Sequence, residues 1–253
     1  MSLGKKIPAL INLWSQNPRI EITPFENLKR EDLYLCHDKK YIDDIFALKI
    51  PNGFKNFRED VPEQELLQCA SFYHASREAL INNIATSMSA GFHHANYKKP
   101  GPYCTFNGLM YSAMKLKEEK LINKVGIMDL DFHYGDGTDD IINILNIEYI
   151  EHWGLAKDLS TNILYFFMKL EQALERMRDC DIIFFQAGAD MYKHDPKGGL
   201  LSKEQMIKRD EIVISFCSQN NIPLVWCLAG GYTELEELCE IHNYTMDITL
   251  KYY

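Results

Sequence analysis

Apolar runs of strand length recur at residues 84–89, 125–130, 147–150, 182–186 and 223–228, and longer stretches of helical period fall between and before them. The helical stretches are 31–48, 63–82, 107–119, 162–177 and 203–219. In the first, Leu33, Tyr41, Ile45 and Leu48 fall near one face, and the last opens with Ser202 and Gln205 at capping-box spacing. Continuous apolar strands alternating with helices predict an α/β fold with a mostly parallel central sheet. The Gly/Pro stretches at 51–53, 98–102 and 196–199 are too short for linkers and no repeat is visible, so residues 1–253 are read as one domain.

Charge and cysteine content narrow the function classes. With 27 Lys and Arg against 36 Asp and Glu the net charge is −9, which repels a phosphate backbone, so nucleic acid is not expected as a partner. The same excess suits a cationic substrate or serves only solubility. No apolar run reaches membrane-spanning length, so no membrane association is expected. The basic start at Lys5-Lys6 runs into polar Asn12, Ser15, Gln16 and Asn17 instead of a secretory apolar segment. Seven cysteines without close CxxC pairs, several inside apolar runs as Cys227 is, read as buried thiols in a reducing compartment, and the expected location is the cytoplasm. The pattern does not fix an oligomeric state.

In an open parallel sheet, ligands bind beyond the carboxyl ends of the strands. Past these ends lie Gly91-Phe92-His93-His94-Ala95, the run from Asp129 to Gly137, Gly188-Ala189-Asp190 continuing to His194-Asp195-Pro196, and Gly230-Gly231-Tyr232. Asp129, Asp131 and His133 alternate with apolar Leu130 and Phe132, so all three project from one face. Two buried carboxylates beside an imidazole ask for a cation, and oxygen and nitrogen donors without thiolate suit catalytic Zn²⁺, with Fe²⁺ or Mn²⁺ as alternatives. A hydrogen-bonded Asp/His turn is the other reading of the same residues. Taken singly, His93-His94 reads equally as a solvated pair, Asp195-Pro196 as a turn opener and Gly230-Gly231-Tyr232 as a tight turn.

Taken in order, these segments resemble the zinc-dependent histone deacetylase superfamily, with its acetylpolyamine deacetylase relatives. The resemblance runs from about Leu33 to Thr233. It adds Cys36-His37-Asp38, Tyr41-Ile42, Tyr103-Cys104-Thr105-Phe106-Asn107 and Asp195-Pro196-Lys197-Gly198-Gly199-Leu200 to the motifs above. It implies the three-layer α/β/α arginase/deacetylase architecture. It also implies Asp131, His133 and Asp195 as metal ligands, His93 and His94 as the proton-handling pair, Asp129 and Asp136 as the acids that orient them, and Tyr232 as donor to the developing oxyanion. Phe92 and Tyr103 would line a tunnel, and Asp60 matches an acidic rim residue. The implied reaction is hydrolysis of an acetyl-type amide on a primary amine, either a small molecule or a lysine-containing substrate. A structural monovalent cation, commonly potassium, is implied near the backbone of Asp129, Asp131 and His133.

The chain departs from the family pattern in several places. Ile150-Glu151 stands where a small hydroxyl residue and an apolar one are usual at the cation site, and the long glycine-rich rim segment is missing between His152 and Ile182. Pro102 replaces a glycine, Tyr134 stands where a second histidine is common, and the usual first strand is lacking. An alternative is a degenerate member that binds acylated amines or protein partners without turnover. A two-manganese ureohydrolase would need a further Asp-x-Asp pair that does not follow the later strands.

Overall fold

The computed structural model describes residues 3–155 and 162–253. Its centre is an all-parallel sheet of β1 (Ile84–Ser87), β2 (Val125–Asp129), β3 (Ile150–Gly154), β4 (Ile182–Gln186) and β5 (Leu224–Cys227), in the order β1-β5-β4-β2-β3. Inner strands β2 and β4 are buried along their whole length, as their unbroken apolar composition requires. Alternate side chains feed two cores. Met128, Ile183, Phe185 and Trp226 meet α1 (Leu3–Trp14), α6 (Ile163–Arg176), α7 (Lys203–Gln219) and α8 (Leu235–Tyr252) on one face. Ile127, Phe184 and Val225 meet α2 (Lys39–Phe46), α3 (Asp60–Asn82) and α4 (Gly108–Glu118) on the other. The result is three layers, helix on sheet on helix.

Local chemistry sets several boundaries. Ser202 caps α7 by accepting from Gln205 N while Gln205 returns a bond to Ser202 N, the predicted capping box. The predicted helix over 31–48 is divided: a 3₁₀ turn at Arg30–Leu35 ends, and Asp38 opens α2 by accepting from Tyr41 N. The third strand lies at Ile150–Gly154 instead of 147–150. As an edge strand it tolerates half-buried Glu151 and a His152 whose ring turns inward, polar residues which an apolar-run criterion passes over. Three helices were not predicted: α1, α8 and α5 (Asp136–Ile144). Helix α5 starts inside Gly135-Asp136-Gly137, which reads as loop, and α8 buries His242, Thr245 and Thr249 on its inner side, which dilutes its apolar period. Among the described residues no helix is long and apolar enough to cross a membrane. Residues 156–161, within the stretch where the rim segment is missing, lie outside the described residues.

Candidate active site

The carboxyl ends of β1, β2, β4 and β5 deliver the polar segments to one end of the sheet, where a cavity of about 1310 Å³ opens. His93, His94, Tyr103, Asp131, His133, Gly230 and Tyr232 are among its walls. Two buried cations hold the strand ends in place. Arg209 of α7 donates to the carbonyls of Gly188 (2.6 Å) and Leu130 (3.3 Å). Lys6 of α1 donates to those of Leu228 (2.6 Å) and Gly230 (2.5 Å), and burial lowers its pKa to about 8. The backbone carbonyls just past β2, β4 and β5 thus find donors that loops alone would not supply.

Asp131, His133 and Asp190 each bring a donor atom to a cluster in which the atoms lie within 4.8 Å of one another. Asp190 sits on the 3₁₀ turn Ala189–Met191 just past β4, and its Oδ1 accepts from Phe132 N at 3.0 Å. Its Oδ2 is buried 2.9 Å from His133 Nδ1 but accepts no hydrogen bond, because that nitrogen donates to Asp131 at 3.0 Å. Burial, and then Asp131, push Asp190 up to about 7, while the neighbouring carboxylates of Asp131 and Asp190 push His133 up to about 10. A cluster that holds protons this firmly is short of positive charge, and three O/N donors with an orphaned carboxylate oxygen fit a divalent metal ion. Gly230 allows the close approach. At φ +54°, any Cβ there would stand 2.7 Å from oxygens of both Asp131 and Asp190.

Asp195, expected as the third ligand, is not in this cluster. Its Oδ2 accepts from Tyr232 N at 2.6 Å and its Oδ1 from Lys197 N at 2.9 Å. Asp190 comes directly past β4 and faces β2, whereas Asp195 comes a turn later, where its oxygens accept from the backbone of two loops.

Of the other expected residues, the acid and imidazole pairs meet. His93 Nδ1 donates to Asp129 Oδ2 at 2.7 Å and His94 Nδ1 to Asp136 Oδ1 at 2.6 Å, with the two ring centres 4.1 Å apart. Each carboxylate fixes a tautomer and leaves Nε2 for the site. His93 Nε2 lies 3.6 Å from Asp131 Oδ1. Burial opposes charge on His93, but Asp129 and Asp131 outweigh it and raise its pKa to about 9. Protonation of His93 and cation binding therefore compete for Asp131.

Tyr232 follows Gly231 (φ +89°), its ring 5.6 Å from that of Tyr103. Burial and then Asp131 push the Tyr232 hydroxyl pKa well up, so the phenol keeps its proton. Tyr103 holds a left-handed backbone (φ +60°) fixed by its N–H on Gly53 O at 2.9 Å. The Lys197 ammonium lies 4.3 Å from the Tyr103 ring centre and 4.4 Å from that of Tyr232, and donates to the Tyr103 hydroxyl. Phe92 is not a wall residue as expected. It is 1% exposed and packs edge-on against Phe72 at 5.5 Å, because the chain leaving β1 turns alternate side chains into the helical layer. Asp60 does border the cavity, but its carboxylate pairs with Arg58 at 2.7 and 2.9 Å.

Sequence reasoning missed several residues here. Gln186 donates to Asp129 Oδ1 (2.9 Å) and accepts from Phe92 N (3.1 Å), tying the His93 support to the loop that carries His93. Its one signal was a polar residue ending an otherwise apolar strand. Lys6 carried none, since a lysine at the start of a polar-looking segment reads as solvated.

The histone deacetylase domain model matches residues 5–151, more than half of the chain. Histone deacetylase 2 of Arabidopsis thaliana is 29% identical over 184 residues, covering 62% of this chain and 46% of that protein. Acetylpolyamine amidohydrolase of Mycoplana ramosa is 43% identical over 49 residues, 19% of this chain and 14% of that one. The chain spans about half the length, or less, of such curated relatives. Among solved structures, the HDA15 HD domain superposes with a TM-score of 0.82 at 14% identity, covering 99% of this chain and 81% of the other. An acetylpolyamine aminohydrolase from Burkholderia pseudomallei gives 0.79 at 14%, covering 96% and 90%. At that identity the two structures establish the fold alone.

Proposed function

The chain belongs to the histone deacetylase domain family, and from that premise we propose that it hydrolyses an acetyl or other acyl amide on a primary amine, with zinc as its metal and Fe²⁺ as the alternative. The observation that carries this reading is the convergence of Asp131, His133 and Asp190 within 4.8 Å, beside two carboxylate-bound imidazoles and a phenol on one cavity wall. Asp131, His133 and Asp190 would hold such an ion, which would act as a Lewis acid toward the acyl carbonyl and lower the pKa of water.

The remaining work falls to the chain itself. His93 and His94, each held at Nδ1, present Nε2 to the reacting amide: one accepts the proton of the attacking water, and the pair returns a proton to nitrogen as the C–N bond breaks. Tyr232 donates a hydrogen bond to the carbonyl oxygen as charge gathers there, a contribution worth on the order of 3 kcal/mol in comparable oxyanion sites. The products are a carboxylate and a free amine.

The test pairs metal analysis with turnover of a fluorogenic acetyl-lysine amide. We expect close to one zinc-like ion per chain and measurable cleavage. Tyr232→Phe is expected to keep the metal and lose about 100-fold in kcat. A correctly folded protein that takes up no divalent ion would sink the reading.

A further inference from the structure

We propose that the site selects acyl amides whose amine portion carries a carboxylate, with Lys197 as the residue that binds it. The inference rests on the hydrolase reading and names its substrate class. The Lys197 ammonium donates to the Tyr103 hydroxyl and stands 4.3 Å from the Tyr103 ring centre and 4.4 Å from that of Tyr232, two rings that line the cavity. One of its N–H groups goes to the phenol, and ring faces attract a cation without neutralising it. Among the described residues no carboxylate lies within ion-pair distance of this ammonium, and Asp60 on the cavity border is taken by Arg58.

The surrounding loops add to that charge. Tyr103 N–H on Gly53 O at 2.9 Å joins loop 52–58 to loop 96–104, and the Lys197 bond to the Tyr103 hydroxyl brings in loop 192–199. Together the three loops carry Lys55, Arg58, Lys98, Lys99, Lys193 and Lys197 against a single acid, Asp195. Asp195 is 5% exposed, and its oxygens accept from Lys197 N at 2.9 Å and Tyr232 N at 2.6 Å, so it ties the lysine's backbone to the tyrosine's. Of the six cations only Arg58 has a carboxylate partner among the described residues. A chain of net charge −9 therefore surrounds this mouth with uncompensated positive charge.

With the acyl carbonyl beside Asp131, His133 and Asp190, and Tyr232 donating to its oxygen, the amine portion leads outward past the Tyr103 ring to the exposed ammonium. A carboxylate there accepts one of the remaining N–H groups of Lys197, a charge-assisted bond that holds the scissile C–N bond near the imidazole pair. The reaction is unchanged. The C–N bond breaks, the oxygen of one water goes to the acyl carbon and its two protons to nitrogen, leaving a carboxylate and an amino acid. A lysine that merely packed on two phenols would be indifferent to the charge of the amine portion.

Three acetamides of one chain length isolate the charge: N-acetyl-aminohexanoate, its neutral carboxamide, and monoacetylated hexanediamine. Acetate release is measured on the zinc-loaded full chain. We expect kcat/KM to be highest for the carboxylate and lowest for the cation, with at least about fivefold between carboxylate and carboxamide at low salt and less at high salt. Lys197→Met should lose that preference and Lys197→Arg keep it, since a guanidinium also rests on ring faces. Calorimetry with the ketone analogues, in which CH₂ replaces the amide NH and nothing can be cleaved, should show the same preference in affinity. Equal affinity of the wild type for the charged and neutral ketones overturns the proposal, as does a preference that survives in Lys197→Met. If no acetamide is cleaved, the hydrolase reading fails, while the ketones still decide whether Lys197 holds a carboxylate.

Discussion

Asp190 and Asp195 are both acids past the end of β4, and their surroundings give them different work. Asp190 has a buried oxygen without a hydrogen bond beside His133, while both oxygens of Asp195 accept from backbone N–H groups. We therefore expect Asp190→Asn to weaken zinc binding by at least about 100-fold in a competition assay. Asp195→Asn should retain the metal and lower kcat, because it loosens the turn under Tyr232. The reverse pattern would return the ligand role to Asp195.

Lys197 bears on substrate choice. The net charge of −9 suits a cationic substrate, yet the charge resting on Tyr103 and Tyr232 is an ammonium. Local charge acts over the few ångströms of the binding step, so it outweighs the distant, screened excess of acid. Acylated polyamines should be poorer substrates than uncharged acyl amines. Lys197→Glu should shift the ratio of their kcat/KM values toward the polyamine by about tenfold, and an unchanged ratio would remove Lys197 from recognition.

At the scale of elements, α3 carries a buried acid beside the cavity. Glu65 accepts from Gln68 Nε2 at 3.0 Å and Thr105 N at 3.3 Å, and burial raises its pKa from 4.5 to about 7. A carboxyl raised on folding binds its proton more tightly in the folded state. Stability is therefore full below about pH 4.5 and falls as pH rises through 7. Glu65→Gln should match the wild type at low pH and exceed it at pH 8 by up to about 3 kcal/mol in denaturant titrations. A variant with the same pH slope as the wild type would show that Glu65 ionises freely. The parallel strands and the capped helix α7 were legible because apolar runs and capping boxes are local signals. The division of 31–48 and the position of β3 were not, since a cap inside a periodic stretch and an edge strand carrying polar residues both break the pattern that sequence reading relies on.

Across the whole molecule, α1 closes the site from the opposite end of the chain. Lys6 bonds to carbonyls at Leu228 and Gly230, directly before Tyr232. Lys6→Met should destabilise the fold by on the order of 2 to 3 kcal/mol, as two buried carbonyls lose a charged donor, and should lower kcat through Tyr232. Unchanged stability in thermal melts would show that the helix does not act as a clasp. The sequence by itself determined the alternation of strand and helix and the end of the sheet where chemistry collects, because strand period and short motifs are written in neighbouring residues. The structure alone decided that Asp190 stands beside Asp131 and His133 while Asp195 accepts from loop backbone, that Phe92 turns into the core, and that Gln186 and Lys6 reach the site. Those outcomes depend on strand register and on the direction in which a side chain leaves its backbone, and both are set by packing between segments far apart in the chain.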